Sequence, residues 1–338
     1  MRAFVLTAPG EYAVQEVPAP VPAPGEAVVD VERVGVCGTD VEFFTGAMAY
    51  LHQGHAAYPM RLGHEWAGRV AAVGDGVDPA WLGRRVMGDT MLGCGTCRRC
   101  RRGRHHVCDQ RQEVGIRGDR PGALAEQLAV PAASLHALPD TVDAELGALV
   151  EPGGTALRAA RATASGAGDR VLILGPGTIG LLTAMFVRAA GAEVHLMGAT
   201  DRSLTFARDL GFEHVWRADS LPDGPYDAVV DATNAVHLPG LAVESVEPAG
   251  RVVYVGIAGE PSRVDTRTLA LKDVTAVGVL SASPGLEATV RAYAEGSVDP
   301  RPLVAATVGL AEVGAVLAGK RPPDAGLGPK ILVDPRRD

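Results

Sequence analysis

The chain has few aromatic side chains, few cysteines and a deficit of basic residues. Aromatic residues make up 4% of its 338 positions, so the cores must be built mainly from Ala, Val and Leu. Five cysteines in a chain of this length do not suggest a disulfide scaffold, and four of them are clustered between residues 94 and 108. The formal charge of −8 argues against nucleic acid as the main partner.

Long hydrophobic runs and a targeting segment are also missing. The longest apolar helix candidate, residues 178–187, is too short to span a bilayer. The N-terminus opens directly into a strand-like pattern, without the basic region, apolar region and cleavage site of a signal peptide. We therefore expect a soluble, cytoplasmic protein without a membrane partner. The length and the 47% hydrophobic content are sufficient for two domains.

The hydrophobic pattern changes character along the chain. Residues 1–135 show short alternating segments separated by Pro- and Gly-rich turns, which predicts antiparallel strands and, in the simplest case, a small barrel. From residue 143 helical spacing appears, at 144–150 and again at 155–164. The apolar run at 170–174 then starts a β-α-β rhythm, with the next strand at 193–197, that predicts a doubly wound parallel sheet. After a strand at 274–280, the pattern predicts helices at 286–294 and 311–318 and a final strand at 330–333.

The clearest nucleotide motif lies between a buried-strand pattern and an apolar helix pattern. The first glycine allows a tight turn, the second admits a pyrophosphate to the backbone, and the third lets the helix pack closely against the strand. The helix N-terminus adds a dipole that favours phosphate charge. A purely structural turn is the alternative, but this context favours dinucleotide binding. The motif consists of Gly175, Pro176, Gly177, Thr178, Ile179 and Gly180.

The strand after this motif bears on the choice between NAD and NADP. An acidic residue at its end would bind the ribose 2′-hydroxyl of NAD, but Gly198 stands at that position. Thr200 and Arg202 follow and could bind a 2′-phosphate, which favours NADP. Asp201 could still turn toward the ribose, and Arg202 could be a solvated residue at a helix start, so both cofactors stay open.

Four cysteines form a compact metal-binding pattern with the spacing Cys-x2-Cys-x2-Cys-x7-Cys. Four thiolates on a short loop suit a closed, tetrahedral structural zinc, and the interleaved arginines would offset its net negative charge. A nucleic-acid zinc module is disfavoured by the tight spacing and the acidic chain, and a redox disulfide pair is the other alternative. His105 and His106 are surplus as ligands, and we expect them to be solvated. The cysteines are Cys94, Cys97, Cys100 and Cys108.

An imidazole and a carboxylate stand side by side at His64 and Glu65, in a run flanked by glycines. Both are zinc-ligand types, and Cys37, the one cysteine outside the cluster, is the obvious candidate for a third ligand. Thr39 would place a hydroxyl close to whatever Cys37 binds. Asp40 could orient the His64 ring through its second nitrogen, as ligating histidines usually require.

Glu151 lies where the two halves of the chain meet. It precedes Pro152, Gly153 and Gly154, a setting that we expect to be unfavourable for a helix interior. A position in the cleft between the two domains is therefore expected, and an ordinary exposed glutamate is the alternative.

These motifs, in this order, resemble the zinc-containing alcohol dehydrogenases of the medium-chain dehydrogenase/reductase superfamily. The run from Gly63 through Gly68 and Gly74 to Val77 resembles the zinc signature of that family. The segment around Cys37, the four-cysteine lobe and the later glycine motif stand in the family's order. Residues 86–97 are similar to polyol, threonine and aminocyclitol dehydrogenases, including 2-deoxy-scyllo-inosamine dehydrogenases. The resemblance covers essentially the whole chain.

The resemblance implies an α/β protein with two domains. A GroES-like β-barrel catalytic domain would span residues 1–150, with a structural zinc lobe at 93–109. A Rossmann domain, the doubly wound parallel sheet that binds the cofactor, would span 151–282. Residues 283–338 would return to the catalytic domain. A homodimer or a homotetramer is expected.

The resemblance also implies roles for particular residues. Cys37, His64 and Glu151 would bind a catalytic zinc, with Glu65 next to the metal and exchanging with water. Thr39 would relay a proton, and Lys330 would lie near the cofactor phosphates, with a plain surface lysine as the alternative. Two zinc ions per chain, one catalytic and one structural, are therefore expected.

The expected activity is hydride transfer between a secondary alcohol and NAD(P), through an alkoxide formed on zinc. The substrate would be a polyol, a cyclitol or an amino alcohol. The alternatives are a non-catalytic NADP-binding sensor or structural protein, which would not need an open metal site, and an enone or quinone reductase, which usually lacks zinc. His52 and His55 are candidates for the proton path, and the Gly153–Gly154 pair is expected to widen the substrate pocket.

Overall fold

The computed structural model describes residues 1–337, which form four β-sheets and eleven α-helices joined by short 3₁₀ turns. The strands are β1 (Arg2–Ala8), β2 (Glu11–Glu16), β3 (Glu26–Gly35), β4 (Glu65–Val73), β5 (Arg85–Gly88), β6 (Met91–Leu92), β7 (Gln112–Glu113), β8 (Gln127–Pro131), β9 (Leu135–Ala137), β10 (Arg170–Leu174), β11 (Glu193–Met197), β12 (His214–Trp216), β13 (Tyr226–Asp231), β14 (Val246–Tyr254), β15 (Thr275–Gly278), β16 (Val304–Val308) and β17 (Lys330–Val333). The helices are α1 (Gly38–Thr45), α2 (Ala49–His52), α3 (Arg98–Arg101), α4 (Ala144–Ala148), α5 (Val150–Thr163), α6 (Thr178–Ala189), α7 (Asp201–Asp209), α8 (Leu238–Ser245), α9 (Thr266–Leu271), α10 (Leu286–Ala294) and α11 (Val313–Leu317).

The nucleotide-binding half is a six-stranded parallel sheet with the strand order β12-β11-β10-β13-β14-β15. The central strand, β10, is apolar and almost fully buried, as expected for a parallel strand covered by helices on both faces. This order reverses direction between β10 and β13, and a crevice at such a switch point is where doubly wound sheets bind ligands. The predicted parallel sheet is confirmed.

The other large sheet is built from both ends of the chain. Its order is β16-β17-β3-β4-β5-β9, with β8 paired to β3 on the same sheet. Strand β17 pairs antiparallel with β3 and aligns Leu332 with Gly35. The last strand therefore lies beside the segment that leads into Cys37, although nearly the whole chain separates them.

Some elements differ from the sequence-based expectations. Helix α5 starts at Val150 and so contains Glu151 and Pro152, whereas the sequence suggested a helix only from residue 155. Proline is tolerated in the first turn because the amide that it lacks has no partner there. Glu151 therefore lies in the first turn of α5, outside the helix interior that the sequence disfavoured. Helices α1, α8 and α9 and strand β16 were not predicted.

The paired glycines of α5 serve helix packing. A Cβ atom at Gly153 would lie 2.1 Å from Tyr293 Oη, and one at Gly154 would lie 2.8 Å from Ala282 Cβ. The space at both positions is therefore filled by α10 and the segment before it. The prediction that this pair widens a substrate pocket was wrong.

Among residues 1–337, no helix is both long enough and apolar enough to cross a bilayer.

Candidate active site and cofactor crevice

Asp40 connects the two segments that carry the candidate metal ligands. Cys37 is the N-cap of α1, and its backbone N–H donates to Asp40 Oδ2 at 2.9 Å. The other carboxylate oxygen accepts from Gly63 N at 3.3 Å. Asp40 is only 1% exposed, so these bonds are shielded from water and hold α1 against the turn before β4.

The His64 ring lies between Asp40 and Cys37. Its Nδ1 atom is 3.6 Å from Asp40 Oδ1, and the ring is almost fully buried. Burial disfavours the charged imidazole, but the nearby Asp40 carboxylate and Cys37 outweigh this effect and raise the pKa of His64. At this distance Nδ1 makes no hydrogen bond with Asp40, and it has no other hydrogen-bond partner among residues 1–337. The orienting role of Asp40 stays a prediction.

Glu65 is held by Lys330. Its two carboxylate oxygens lie 3.0 and 2.6 Å from Lys330 Nζ, which also donates to Val36 O at 3.0 Å. Both side chains are at least 98% buried, and the Glu65 carboxylate outweighs burial to raise the pKa of Lys330. The three donors of the ammonium group are thus used inside the catalytic domain, so the predicted contact between Lys330 and the cofactor phosphates was wrong.

Gly35 makes room for this ion pair. It pairs with Glu65 across β3 and β4, and a Cβ atom there would lie 2.0 Å from Glu65 Oε2. A side chain at position 35 would therefore displace the carboxylate from Lys330.

Cys37, His64 and Glu65 offer ligand atoms that all lie within 4.8 Å of one another. Thiolate, imidazole and carboxylate are the donor types that zinc prefers, so the cluster fits a zinc ion.

Glu151 does not belong to this cluster, but the charges of the site act on its carboxyl group. Burial, reinforced by Glu65 and Asp89, raises its pKa to about 7, against the opposing effect of His64 and Lys330. Thr39 lies in the first turn of α1, partly exposed.

The four-cysteine lobe also fits a zinc ion. The sulfurs of Cys94 and Cys100 are 4.0 Å apart, and those of Cys97 and Cys108 are 3.8 Å apart. A tetrahedral zinc with Zn–S bonds of about 2.3 Å separates its sulfurs by roughly 3.8 Å, whereas a disulfide requires about 2.05 Å. All four sulfur atoms lie within 4.8 Å of one another, so the geometry favours a metal over a disulfide pair.

Only His106 of the two lobe histidines is buried, which corrects the expectation for that residue, whereas His105 is partly exposed. His105 Nε2 lies 2.7 Å from Asp89 Oδ2, and His106 is buried. Asp89 also accepts from Met91 N at 2.9 Å and from Ser283 Oγ at 2.8 Å. This buried carboxylate therefore connects the lobe to the segment before α10. Sequence reasoning had noted Asp89 only as part of a motif, and its partners come from distant segments.

The glycine motif lines a crevice of about 720 Å³ at the switch point of the parallel sheet. Gly175 has a positive φ of 92°, and a Cβ atom at Gly180 would lie 1.9 Å from Gly175 O. Both positions therefore require glycine, one for the turn and one for the close approach of α6. Thr178, Ile179 and Gly180 form the first turn of that helix, as predicted.

The far end of the crevice carries two arginines. Arg202 and Arg217 both line it, and Arg217 was missed in the sequence because it follows the short, unpredicted strand β12. Arg217 forms an ion pair with Asp201, so that carboxylate is already engaged. Thr200 caps α7 by accepting from Ser203 N at 3.3 Å. The carboxylate of Asp219 lines the crevice too, but it follows β12 rather than β11.

The neighbours of Gly198 leave too little space for a side chain at this position. A Cβ atom there would lie 2.7 Å from Pro176 Cγ and 2.9 Å from Leu204 Cδ2. Since the proline ring cannot move aside easily, the acidic residue typical of NAD-specific sites does not fit at this position.

The crevice continues toward the metal-ligand cluster. A neighbouring cavity of about 320 Å³ is lined by Cys37 and Gly38 at one end and by Arg202, Arg321 and Pro329 at the other. Arg202 and Pro329 line both cavities. An extended dinucleotide lying along them would thus reach from the glycine turn to Cys37.

Comparison with known proteins agrees with this geometry. Residues 23–140 match the alcohol dehydrogenase GroES-like domain, and residues 178–295 match the zinc-binding dehydrogenase family. A 2-dehydro-3-deoxy-L-galactonate 5-dehydrogenase from Pseudoalteromonas atlantica is 31% identical over 88% of each chain. An L-threonine 3-dehydrogenase from Saccharopolyspora erythraea is 32% identical over 82% of this chain and 83% of its own. A zinc-binding dehydrogenase from Sinorhizobium meliloti 1021, solved with NADP, is 27% identical, covers 99% of both chains and superposes with a TM-score of 0.88. The predicted fold, a GroES-like domain with a Rossmann domain, is confirmed.

Proposed function

The chain belongs to the zinc-containing alcohol dehydrogenases, a family of NAD(P)-dependent oxidoreductases, and we propose that it oxidises a polar secondary alcohol with NADP. The observation that carries the proposal is the convergence of Cys37, His64 and Glu65, of which Cys37 lines a cavity next to the cofactor crevice. We further propose that each chain binds two zinc ions, and that the protein is cytoplasmic and forms a homodimer or a homotetramer.

The ligand cluster defines what the chain contributes to the reaction. A zinc ion bound by Cys37, His64 and Glu151 would act as a Lewis acid that lowers the pKa of the substrate hydroxyl. Asp40, 3.6 Å from Nδ1, would orient the His64 ring. Glu65, which is paired with Lys330, would lie next to the metal and exchange with water.

Thr39 is the proposed proton relay. Its position in the first turn of α1, two residues after Cys37, supports this role. From there the proton would pass toward solvent along the ribose hydroxyls. A cofactor bound in the crevice would supply the nicotinamide that accepts the hydride, and the closed cleft would exclude water from the reaction.

The preference for NADP follows from the end of β11. Gly198 leaves no room for the acid that NAD-specific sites use, and Asp201 is engaged by Arg217. Arg202 and Arg217 both line the crevice, and a 2′-phosphate, which arginine binds well through paired hydrogen bonds, would compete with the exposed Asp201 for Arg217.

The relatives suggest the substrate class. One is named for a sugar acid and the other for threonine, and both names describe oxidation at a secondary position of a small polar molecule. A panel of polyols, cyclitols, amino alcohols, sugar acids and simple secondary alcohols, assayed with NADP and NAD by nicotinamide absorbance, tests the proposal. Reduction of NADP by a polar alcohol is the expected result, and no turnover of any alcohol by the zinc-loaded protein would contradict it.

Substitution of the two arginines tests the cofactor preference. Arg217→Gln and Arg202→Gln should each raise the KM for NADP about tenfold, because each removes a charge-assisted contact with the 2′-phosphate. The KM for NAD should change little. Equal changes in both KM values would contradict the assignment of these residues to the 2′-phosphate.

A further inference from the structure

Another cavity, of about 540 Å³, is formed only by residues 1–121 and shares no lining residue with the cofactor crevice. Its walls come from the β1–β2 hairpin, residues 56–61 and residues 116–121. The volume falls within the range of about 300–1,000 Å³ that is typical of small-molecule sites. Because three arginines, Arg61, Arg117 and Arg120, line it, we call it the arginine cavity.

Two of these arginines have buried donors without an acceptor. The Nε atoms of Arg61 and Arg120 are inaccessible to solvent and make no hydrogen bond. Among residues 1–337, nothing forms an ion pair with Arg61, whereas Arg120 is paired with Glu26 at 2.6 Å. Burial, with no compensating carboxylate, lowers the pKa of Arg61 to about 10. Because no solvent reaches these two Nε atoms, a ligand in the cavity would be bound through the terminal nitrogens of the guanidinium groups, which come from two different walls of the cavity.

The third arginine adds positive charge at the same place. The Arg117 guanidinium lies over the Tyr50 ring, 5.4 Å from its centroid, and this contact positions it without neutralising it. Asp119 is the one acidic side chain among the lining residues. The cavity therefore carries a net positive charge, although the whole chain is acidic.

The rest of the lining is apolar. Val5, Val17, Met60 and Ile116 contribute hydrophobic side chains, and several prolines close the rim. A bare inorganic ion would leave most of this surface facing water. A ligand with an apolar body would cover it while placing its charged end on the arginines.

We propose that the arginine cavity binds a small organic anion, a carboxylate or a phosphate monoester with an apolar body, whose oxygens accept from Arg61 and Arg120. The site is separate from the alcohol reaction and does not depend on it. The planar guanidinium groups are suited to both kinds of oxyanion, because each can donate two parallel hydrogen bonds.

Methionine methyl groups allow the site to be tested in the full-length, zinc-loaded protein. The chain has seven methionines, of which Met60 lines the arginine cavity, Met197 lines the cofactor crevice and Met87 is fully buried in the core. After ¹³C-methyl labelling, the protein would be titrated with hexanoate, hexyl phosphate and neutral hexanamide at constant ionic strength. We expect at least one of the two anions to shift the Met60 signal saturably, with Met197 and Met87 unchanged and with little effect of hexanamide.

The comparison of hexanoate with hexyl phosphate tells which anionic group the cavity prefers. No saturable Met60 shift with either anion would overturn the proposal. So would an equal shift with hexanamide, because the arginines would then play no part.

Variants of the cavity supply the second readout. Arg61→Met should weaken binding of the preferred anion about tenfold or more, and Arg61→Lys should weaken it less, since it keeps the charge but loses the paired donors. Arg84→Met removes an exposed arginine outside the cavity and should leave the affinity unchanged. Unaltered binding by Arg61→Met would overturn the proposal.

The Met87 and Met197 signals show whether Arg61→Met keeps the native fold. If it does not, Arg117→Met, at a partly exposed position of the same cavity, replaces it in the comparison. Wild-type affinity in that variant would then count against the site.

Discussion

The two clusters of candidate metal ligands are assembled in different ways. In the lobe, all four sulfurs come from residues 94–108, and the short loop around α3 brings them within zinc-binding distance. The other cluster combines Cys37 from the start of α1 with His64 and Glu65 from the start of β4. Its support comes from still further away, since Lys330 belongs to the last strand.

The difference lies in what holds each cluster together. The lobe needs only local chain geometry and a metal, and its charge is offset by exposed arginines such as Arg99, which pairs with Asp109. The other cluster depends on buried contacts, above all those made by Asp40 and by the pair of Glu65 and Lys330. We therefore expect damage to the lobe to affect mainly stability, and damage to the other cluster to affect the reaction, the core, or both.

The largest effect is expected from Cys37→Ser. Loss of the thiolate should remove the catalytic zinc and lower kcat at least about a thousandfold, which corresponds to about 4 kcal/mol of transition-state stabilisation. Metal analysis should show one zinc per chain instead of two. Far-UV circular dichroism serves as the folding control, and near-normal turnover with one zinc per chain would contradict the role of Cys37.

Lys330→Met tests the ion pair that replaced the expected phosphate contact. It leaves the Glu65 carboxylate buried and unpaired, which should cost about 3–5 kcal/mol of stability. The measurement is the shift of the denaturant midpoint, and the double variant Glu65→Gln with Lys330→Met should recover part of the loss. A normal midpoint together with a raised KM for the cofactor would restore the original assignment of Lys330 to the cofactor phosphates.

Cys100→Ser should lower stability and leave the reaction nearly unchanged, in contrast to Cys37→Ser. One structural zinc should be lost while kcat at low temperature stays within a few-fold of the wild type. If the lobe contributes about 2 kcal/mol, Tm should fall by about 3 °C, because the unfolding entropy of about 2.1 cal/mol/K per residue sums to about 0.7 kcal/mol/K for this chain. Loss of activity as severe as that of Cys37→Ser, in a folded protein, would show that the two clusters are not independent.

The smallest effect is expected at His105, which joins the lobe to Asp89. Its hydrogen bond with the carboxylate raises the pKa of His105, so its contribution to stability is full below the unfolded-state pKa of about 6.5 and is lost as pH rises through the folded-state pKa. His105→Gln should therefore lower Tm more at pH 6 than at pH 9. The loss in the free energy of unfolding should be less than about 1 kcal/mol, because the ring is partly exposed.

The wild-type protein, measured in parallel at both pH values, provides the reference. An equal loss at both pH values in His105→Gln would mean that the interaction with Asp89 does not depend on the charge of the ring.

Much of the fold was predictable because its patterns are local. Strands β10, β11 and β17 and helix α10 were predicted with their observed bounds, since each combines a clear apolar pattern with marked ends. Helix α1 was missed because it is short and its sequence lacks a strong apolar stripe. Strand β16 was missed because its pairing with β17 is decided only by tertiary contacts.

The site shows the same division. The ligand types at Cys37, His64 and the lobe could be identified by residue chemistry and spacing, and the glycine motif by its flanking strand and helix. The partner of Lys330, by contrast, could not be inferred, because nothing in a run of residues indicates which distant charge will be buried beside it. The arginine cavity gives no sequence signal either, since Arg61 and Arg120 meet only through the packing of separate loops.

The sequence by itself determined the family, the parallel nucleotide-binding sheet and the four-cysteine lobe, because periodicity and close spacing are properties of neighbouring residues. Only the tertiary structure decided that Lys330 holds Glu65 and that Arg217 lies in the cofactor crevice. The physical reason is that burial and pairing of charges depend on which distant segments pack together, and that information is spread over the whole chain.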